Sequence, residues 1–254
     1  MEEGGDALIR FENASHRFAD GAYGIHGVNL LVGPGEFVLV VGRNGSGKTT
    51  LLRHMNGLVA PTEGRVLVRG RDTRKASRFA RESVGMVFQH PDTQIVGETV
   101  ALDVAFGPEN LGLPRAEVDA RTAWSIEAVG LGELGERAPH LLSGGEKRRL
   151  AVAGILAMRP AAVVFDEPFN SLDRQGVMQV LREMVRLRES GVTVVVTTHD
   201  LDKVLAHADR LIIMEHGEVA GDGAPAGLLE AVARHGVHCP IAARLGVEAC
   251  TWLE

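Results

Sequence analysis

The sequence has little of what several classes of protein need. Its 254 residues hold two cysteines, Cys239 and Cys250, both close to the C-terminus. One such pair builds neither a disulfide framework nor a zinc quartet, and a reducing setting is the default. No apolar run approaches the ~18 residues needed to cross a bilayer. The opening Met1-Glu2-Glu3-Gly4-Gly5-Asp6 is acidic and has no apolar core, so no signal peptide is expected. Aromatics are only 4% of the chain and the net charge is −6, with Lys and Arg scattered. An electrostatic nucleic-acid binder would show a basic surface, so no nucleic-acid partner is expected. There are no internal repeats and no low-complexity segments. What remains is an ordinary globular composition, 45% hydrophobic and 24% charged.

Against that plain background one motif stands out, Gly42-Arg43-Asn44-Gly45-Ser46-Gly47-Lys48-Thr49. The spacing is that of a P-loop. It follows an apolar run, Phe37-Val38-Leu39-Val40-Val41, and precedes Thr50-Leu51-Leu52-Arg53, which can open a helix. Strand, loop and helix are the context the motif requires. Backbone N–H groups and the positive helix end would cradle the β-phosphate of a nucleoside triphosphate. Lys48 would reach the β/γ-phosphates, and Thr49 would ligate Mg²⁺.

The rest of the chain reads as an α/β core with additions. Residues 7 to about 40 alternate apolar and polar between glycine turns, the pattern of antiparallel strands. Arg65–Gly70 and Val84–Phe88 read as further strands, with a charged loop carrying a helical turn over Arg71–Glu82. Val100–Phe106 and Glu117–Val129 have helical spacing. The Gly-Pro-rich stretch Gly107–Pro114 reads as the linker between these two helices. Helices are expected over Glu146–Met158, Asp173–Glu189, Leu201–His207 and Ala226–His235. Ala161–Phe165 and Val192–Thr197 are apolar runs of the kind parallel strands bury. Arg210–Met214 and Glu218–Ala220 flank His216-Gly217 as a hairpin.

Several residues could complete a nucleotide machine. Val163-Val164-Phe165 ends in Asp166-Glu167, two acids at a strand tip. Asp166 beside a P-loop can hold Mg²⁺, directly or through water. Glu167 points to the other face of an extended backbone. It is placed to orient or deprotonate a water attacking the γ-phosphate; the alternative is a solvated strand-end charge. Ser143-Gly144-Gly145-Glu146 opens a helix. Free N–H groups there form a second anion site, while Ser143 and Glu146 have the spacing of a capping box. His199 follows a strand and could hydrogen-bond the γ-phosphate, or be structural. Gln89 could offer its amide oxygen to Mg²⁺ or water.

Together these residues resemble the ATP-binding cassette (ABC) family over roughly residues 7 to 225. Gly42–Thr49 is similar to its Walker A, Val163–Asp166 to its Walker B and Leu142–Glu146 to its signature motif. Gln89 is similar to its Q-loop, Ser171-Leu172-Asp173 to its D-loop and His199 to its switch histidine. The stretches Phe88–Gln94 and Thr99–Leu113 resemble the energy-coupling factor (ECF) ATPases, a group that includes the cobalt and nickel importer ATPase. The resemblance implies an α/β P-loop NTPase core with an antiparallel β-subdomain and an α-helical subdomain. The core would span 7–91 and 146–225, the helical subdomain 92–145, and a C-terminal helical extension 226–254.

The resemblance also implies ATP hydrolysis coupled to transport, with ATP and Mg²⁺ as ligands. Two cassettes, alike or related, would pair head to tail, each ATP lying between one Walker A and the other's Ser143, Gly144 and Gly145. Nucleotide contacts would come from Phe18 as the base-stacking aromatic, where tyrosine is usual, and from Asn44, Gly45, Ser46, Gly47, Lys48, Thr49, Thr50 and Gln89. Thr49, Gln89 and Asp166 would hold Mg²⁺, and Glu167, His199 and Lys48 would serve catalysis. A membrane T-component and a substrate-binding S-component would be partners, placing the chain peripherally on the cytoplasmic face of the plasma membrane. The cargo would be a vitamin or a transition-metal ion.

Two departures from the family pattern stand out. Glu146 replaces the usual glutamine, which implies tuned affinity or rate. Phe169-Asn170-Ser171-Leu172-Asp173-Arg174 lacks the usual small residues before Leu-Asp and the proline after it. Rival readings are a different ABC transporter subunit, a non-transport remodelling cassette, or a P-loop kinase. A kinase would leave Ser143-Gly144-Gly145 and His199 without a task. His235, His238 and Cys239 have spacing too loose for a finished metal-ligand set.

Overall fold

The described residues of the computed structural model are 7–170, 172–245, 247 and 249–253. Ser171 of the expected D-loop and the acidic opening 1–6 therefore lie outside them. The strands are β1 (Ile9–Arg17), β2 (Tyr23–Val32), β3 (Phe37–Val41), β4 (Glu63–Val68), β5 (Arg71–Asp72), β6 (Val84–Val87), β7 (Ala162–Asp166), β8 (Thr193–Thr197), β9 (Arg210–Glu215) and β10 (Glu218–Gly223). The helices are α1 (Lys48–Met55), α2 (Ser77–Ser83), α3 (Val100–Asn110), α4 (Arg115–Ala128), α5 (Gly144–Met158), α6 (Arg174–Glu189), α7 (Pro225–Val232) and α8 (Ile241–Leu245).

Two sheets result. The larger has the order β10-β9-β3-β8-β7-β6. Its β9, β3, β8, β7 and β6 run parallel, and β10 closes one edge as the antiparallel arm of a hairpin with β9. Every residue of β3, β6, β7 and β8 is buried, as their unbroken apolar runs require. The smaller sheet is antiparallel, in the order β2-β1-β4-β5.

Alternation along the strands builds a separate core on each face of the larger sheet. Val38, Val40, Val164 and Val195 face the small sheet and meet Leu51, Leu52 and Met55 of α1. Phe37, Leu39, Phe165 and Val196 face the other way, against residues of α3, α5 and α6. Helix α1 is thus pinned between the two sheets, and it follows the P-loop directly. The register sets Asp166 opposite Thr197 and Thr197 opposite Val40. The carboxyl ends of β3, β8 and β7 therefore stand side by side, at the edge where parallel α/β sheets bind ligands.

Three local expectations need correction. Gly107–Asn110 is the last turn of α3, and only the residues beyond it connect to α4. Pro108 sits nine residues into an eleven-residue helix, so the bond it forgoes is the one to the Val104 carbonyl and the helix ends two residues later. Leu201–His207 forms two short 3₁₀ turns in place of one helix. Arg71–Glu82 carries the expected helical turn as the start of α2, but opens with the short strand β5 in place of a loop.

Two stability outcomes follow. Leu52 is fully buried in the α1 core, and Leu52→Ala should lower unfolding free energy by about 2–5 kcal/mol in urea titration. His54 of α1 is buried too, and burial lowers its pKa from 6.5 to about 4. Above pH 6.5 it is neutral in both folded and unfolded chains. As pH falls from 6.5 towards 4 the unfolded chain takes up a proton that the folded chain refuses. Stability should fall across that window by about 3 kcal/mol and then level off. His54→Gln should flatten this part of the pH–stability curve.

Candidate functional site

A cleft of about 330 Å³ lies at the carboxyl ends of β3, β7 and β8. Phe18, Asn44, Gly45, Gly47, Lys48, Thr49, Thr50, Gln89, Asp166, Glu167 and His199 line it, so residues scattered over 180 positions of sequence converge. Phe18 and Thr50 stand at one end against Gly24 of β2. Phe18 is 46% exposed, as a base-stacking ring would be and a core ring would not. His16 backs it with ring centroids 4.9 Å apart.

The loop geometry explains its glycines. Gly47 has φ +103°, and a Cβ there would meet the Gly24 carbonyl at 2.3 Å. Gly45 has φ +81°, and among the described residues nothing lies within 4 Å of a notional Cβ, so the bowl of the loop is open. Lys48 Nζ turns inward and donates to the carbonyls of Gly42 at 2.7 Å and Arg43 at 3.1 Å. Burial pushes the Lys48 ammonium below its usual pKa, opposed by the charges of Glu167 and Asp166. Ser46 is buried behind the loop, and its Oγ has no hydrogen-bond partner among the described residues.

The acids are held by hydroxyls. Thr49 Oγ1 donates to Asp166 Oδ2 at 2.8 Å, and Thr197 Oγ1 donates to Asp166 Oδ1 at 2.8 Å. Thr197 Oγ1 also accepts the Glu167 N–H at 2.9 Å. Glu167 itself has φ +48°, a left-handed backbone that turns its carboxylate away from Asp166 and into the cleft. His199 Nδ1 lies 2.9 Å from Glu167 Oε2. A carboxylate only accepts, so Nδ1 carries the proton and Nε2 is left for another partner.

The residue types suit the two ligands. The open, N–H-lined bowl with an inward lysine suits a polyphosphate. Thr49, Gln89 and Asp166 bring hard oxygen donors to one cleft, the chemistry Mg²⁺ prefers.

Ser143 and Gly145 do not line this cleft. They border a separate pocket with Glu146, Leu172, Asp173 and Gln175, beside Gly144 at the start of α5. There Ser143 Oγ accepts the Glu146 N–H, and Glu146 Oε2 accepts the Ser143 N–H at 2.7 Å. The capping box forms, and those hydrogen bonds hold the Glu146 carboxyl below its usual pKa. No metal-binding group of three or more His, Cys, Asp or Glu occurs among the described residues.

Some residues of the site went unnoticed in the sequence. Tyr23, Gly24 and Asn170 also line the cleft. Tyr23 is the sole tyrosine and follows Phe18 by five positions, a signal that could have been read. Thr197 carried a weaker one, as a hydroxyl closing an apolar strand.

The family model described as ABC transporter matches residues 25–170. The chain is 54% identical over 214 residues to an energy-coupling factor transporter ATP-binding protein EcfA1 of Symbiobacterium thermophilum, covering 82% of this chain and 74% of the relative. It is 48% identical to a putative ABC transporter ATP-binding protein of Halobacterium salinarum, over 92% of this chain and 100% of the relative. Among solved structures it is similar to cbiO1 from Clostridium perfringens, described as part of the ABC transporter complex cbiONQ. The TM-score is 0.80 at 32% identity, with 95% of this chain and 99% of the other covered. It is also similar to a dimeric ATP-binding cassette in a post-hydrolysis state with ADP and Pi. There the TM-score is 0.78 at 29% identity, over 85% of this chain and 98% of the other.

Thr197→Val tests how the acids are held. It keeps the shape but strips Asp166 and the Glu167 N–H of a buried partner. Stability should fall by about 1–3 kcal/mol by urea titration, and hydrolysis by more than the stability loss alone would produce.

Proposed function

The chain belongs to the ABC transporter family of ATPases, in its energy-coupling factor branch, and on that premise we propose that two cassettes close head to tail around ATP and reopen on hydrolysis. One observation carries this reading. The residues suited to phosphate form two groups lining separate pockets, the P-loop cleft and the Ser143–Gly145 pocket. Each becomes half of a site if a second cassette, this chain or a related one, is opposed to it.

In that pair, Phe18 stacks on the base while the loop N–H groups of residues 44–50 and Lys48 hold the phosphates. Thr49, Gln89 and Asp166 would hold Mg²⁺, which would offset charge on the β- and γ-phosphates. Glu167 Oε orients the attacking water and accepts its proton as the water oxygen bonds to the γ-phosphorus. His199 keeps Glu167 aimed through Nδ1–H and, when the ring is protonated on both nitrogens, donates Nε2–H to the γ-phosphate. Ser143 and Gly145 of the opposite cassette donate to the same group. Breaking the β–γ bridge removes the anion that joins the halves.

No helix among the described residues is long and apolar enough to cross a membrane. We assign attachment to a membrane T-component on the cytoplasmic face. Cargo selection falls to a separate S-component that captures a vitamin or a transition-metal ion, since no feature of the ATPase cleft speaks to cargo.

Glu167→Gln tests the scheme. It should bind Mg-ATP but turn it over at least about a hundredfold more slowly, since the proton acceptor is gone. By light scattering, its mass should double with Mg-ATP if two identical cassettes pair. A persistent monomer that binds ATP would assign the second half-site to a related cassette. Undiminished hydrolysis would remove Glu167 from the role.

A further inference from the structure

Arg148 lies on the first turns of α5 and is only 5% exposed. Its guanidinium makes no ion pair within reach of any described carboxylate. It donates instead to three backbone carbonyls on two other segments. Nη1 reaches the carbonyls of Glu167, at 3.0 Å, and of Pro168. Nη2 reaches the carbonyl of Gln89 at 2.9 Å. Burial lowers its pKa, but a guanidinium stays protonated inside proteins, so a full charge is kept there and among the described residues is met by peptide dipoles. The fork geometry of arginine suits this, because one rigid group can hold several acceptors at once.

The three carbonyls belong to the parts of the site that must keep their spacing. Gln89 is a proposed Mg²⁺ and water ligand. Glu167 is the proposed base, and its left-handed backbone needs outside support to persist. Helix α5 begins at Gly144, so Arg148 sits one turn from the donors offered to the opposite cassette. A second tie runs parallel to it, with Lys147 Nζ 2.6 Å from Asp92 Oδ1 just beyond Gln89.

We infer that Arg148 is a positioning residue, one that ties the Ser143–Gly145 helix end to the backbones of Gln89 and Glu167. This rests on the cassette-pair reading above. Donors that engage a phosphate on one cassette are thereby set in fixed register with the base that works on the other phosphate. Arg148 is not among the residues that line the cleft.

The test is Arg148→Lys, which keeps the charge and most of the volume but has no planar fork to span all three carbonyls. Steady-state ATPase, binding of a fluorescent ATP analogue and thermal unfolding are measured on the full chain. The expected result is a kcat reduced about tenfold or more, with KM and analogue binding changed by less than about threefold. Arg148→Gln should lower kcat further with the same split. Wild-type kcat in Arg148→Lys overturns the proposal. So does a loss of analogue binding in proportion to kcat, or a Lys variant that fails to fold, since either makes the residue a prop for the fold alone. The parent reading fails separately, if the wild-type chain, alone and with a related cassette, hydrolyses no ATP.

Discussion

The carboxylate of Asp166, shared between the hydroxyls of Thr49 and Thr197, is the interaction on which the cleft depends. Thr49 belongs to the helix that follows the P-loop, Thr197 to the end of β8, and Asp166 to the end of β7. One side chain therefore joins three elements that leave the sheet in different directions. Its position is set by strand register, Asp166 opposite Thr197, and the register is set in turn by the buried faces of the strands. A slip of one residue would swap the apolar rows between the two cores and separate the acids from the loop at the same time. Fold and chemistry share one constraint here.

Glu167, one residue further on, follows different rules. The chain must leave the strand there, and its left-handed turn directs the second carboxylate away from the first. Two adjacent acids thereby avoid facing each other and take different neighbours, hydroxyls for Asp166 and an imidazole for Glu167. The Thr197 hydroxyl serves both, donating to one residue and accepting from the other.

Much of this was legible in the sequence because it rests on local patterns. The P-loop glycines, the unbroken apolar strands β3, β7 and β8, and the acids at a strand tip each declare themselves within ten residues. The Ser143–Glu146 spacing announced a capping box, which the structure contains. Features that depend on distant partners were not legible. The extension of α3 through Gly107-Pro108 depends on packing against α5, which overrides the local breaker signal. Tyr23 reaches the cleft only because β2 runs back beneath the loop. Arg148 reads as one more surface charge in Lys147-Arg148-Arg149, and only the fold shows it turned inward.

The inward lysine of the loop has a further meaning. Two of the three ammonium donors of Lys48 are already taken by carbonyls. A ligand that draws the ammonium out of the loop must offer it something better than a pair of neutral peptide oxygens. Phosphate oxygens carrying formal charge do so, because they add an attraction between full charges that a carbonyl dipole cannot match. A sugar hydroxyl or a carbonyl does not. The loop behaves as a comparator with a built-in reference, rejecting weak acceptors by the contacts it would have to give up.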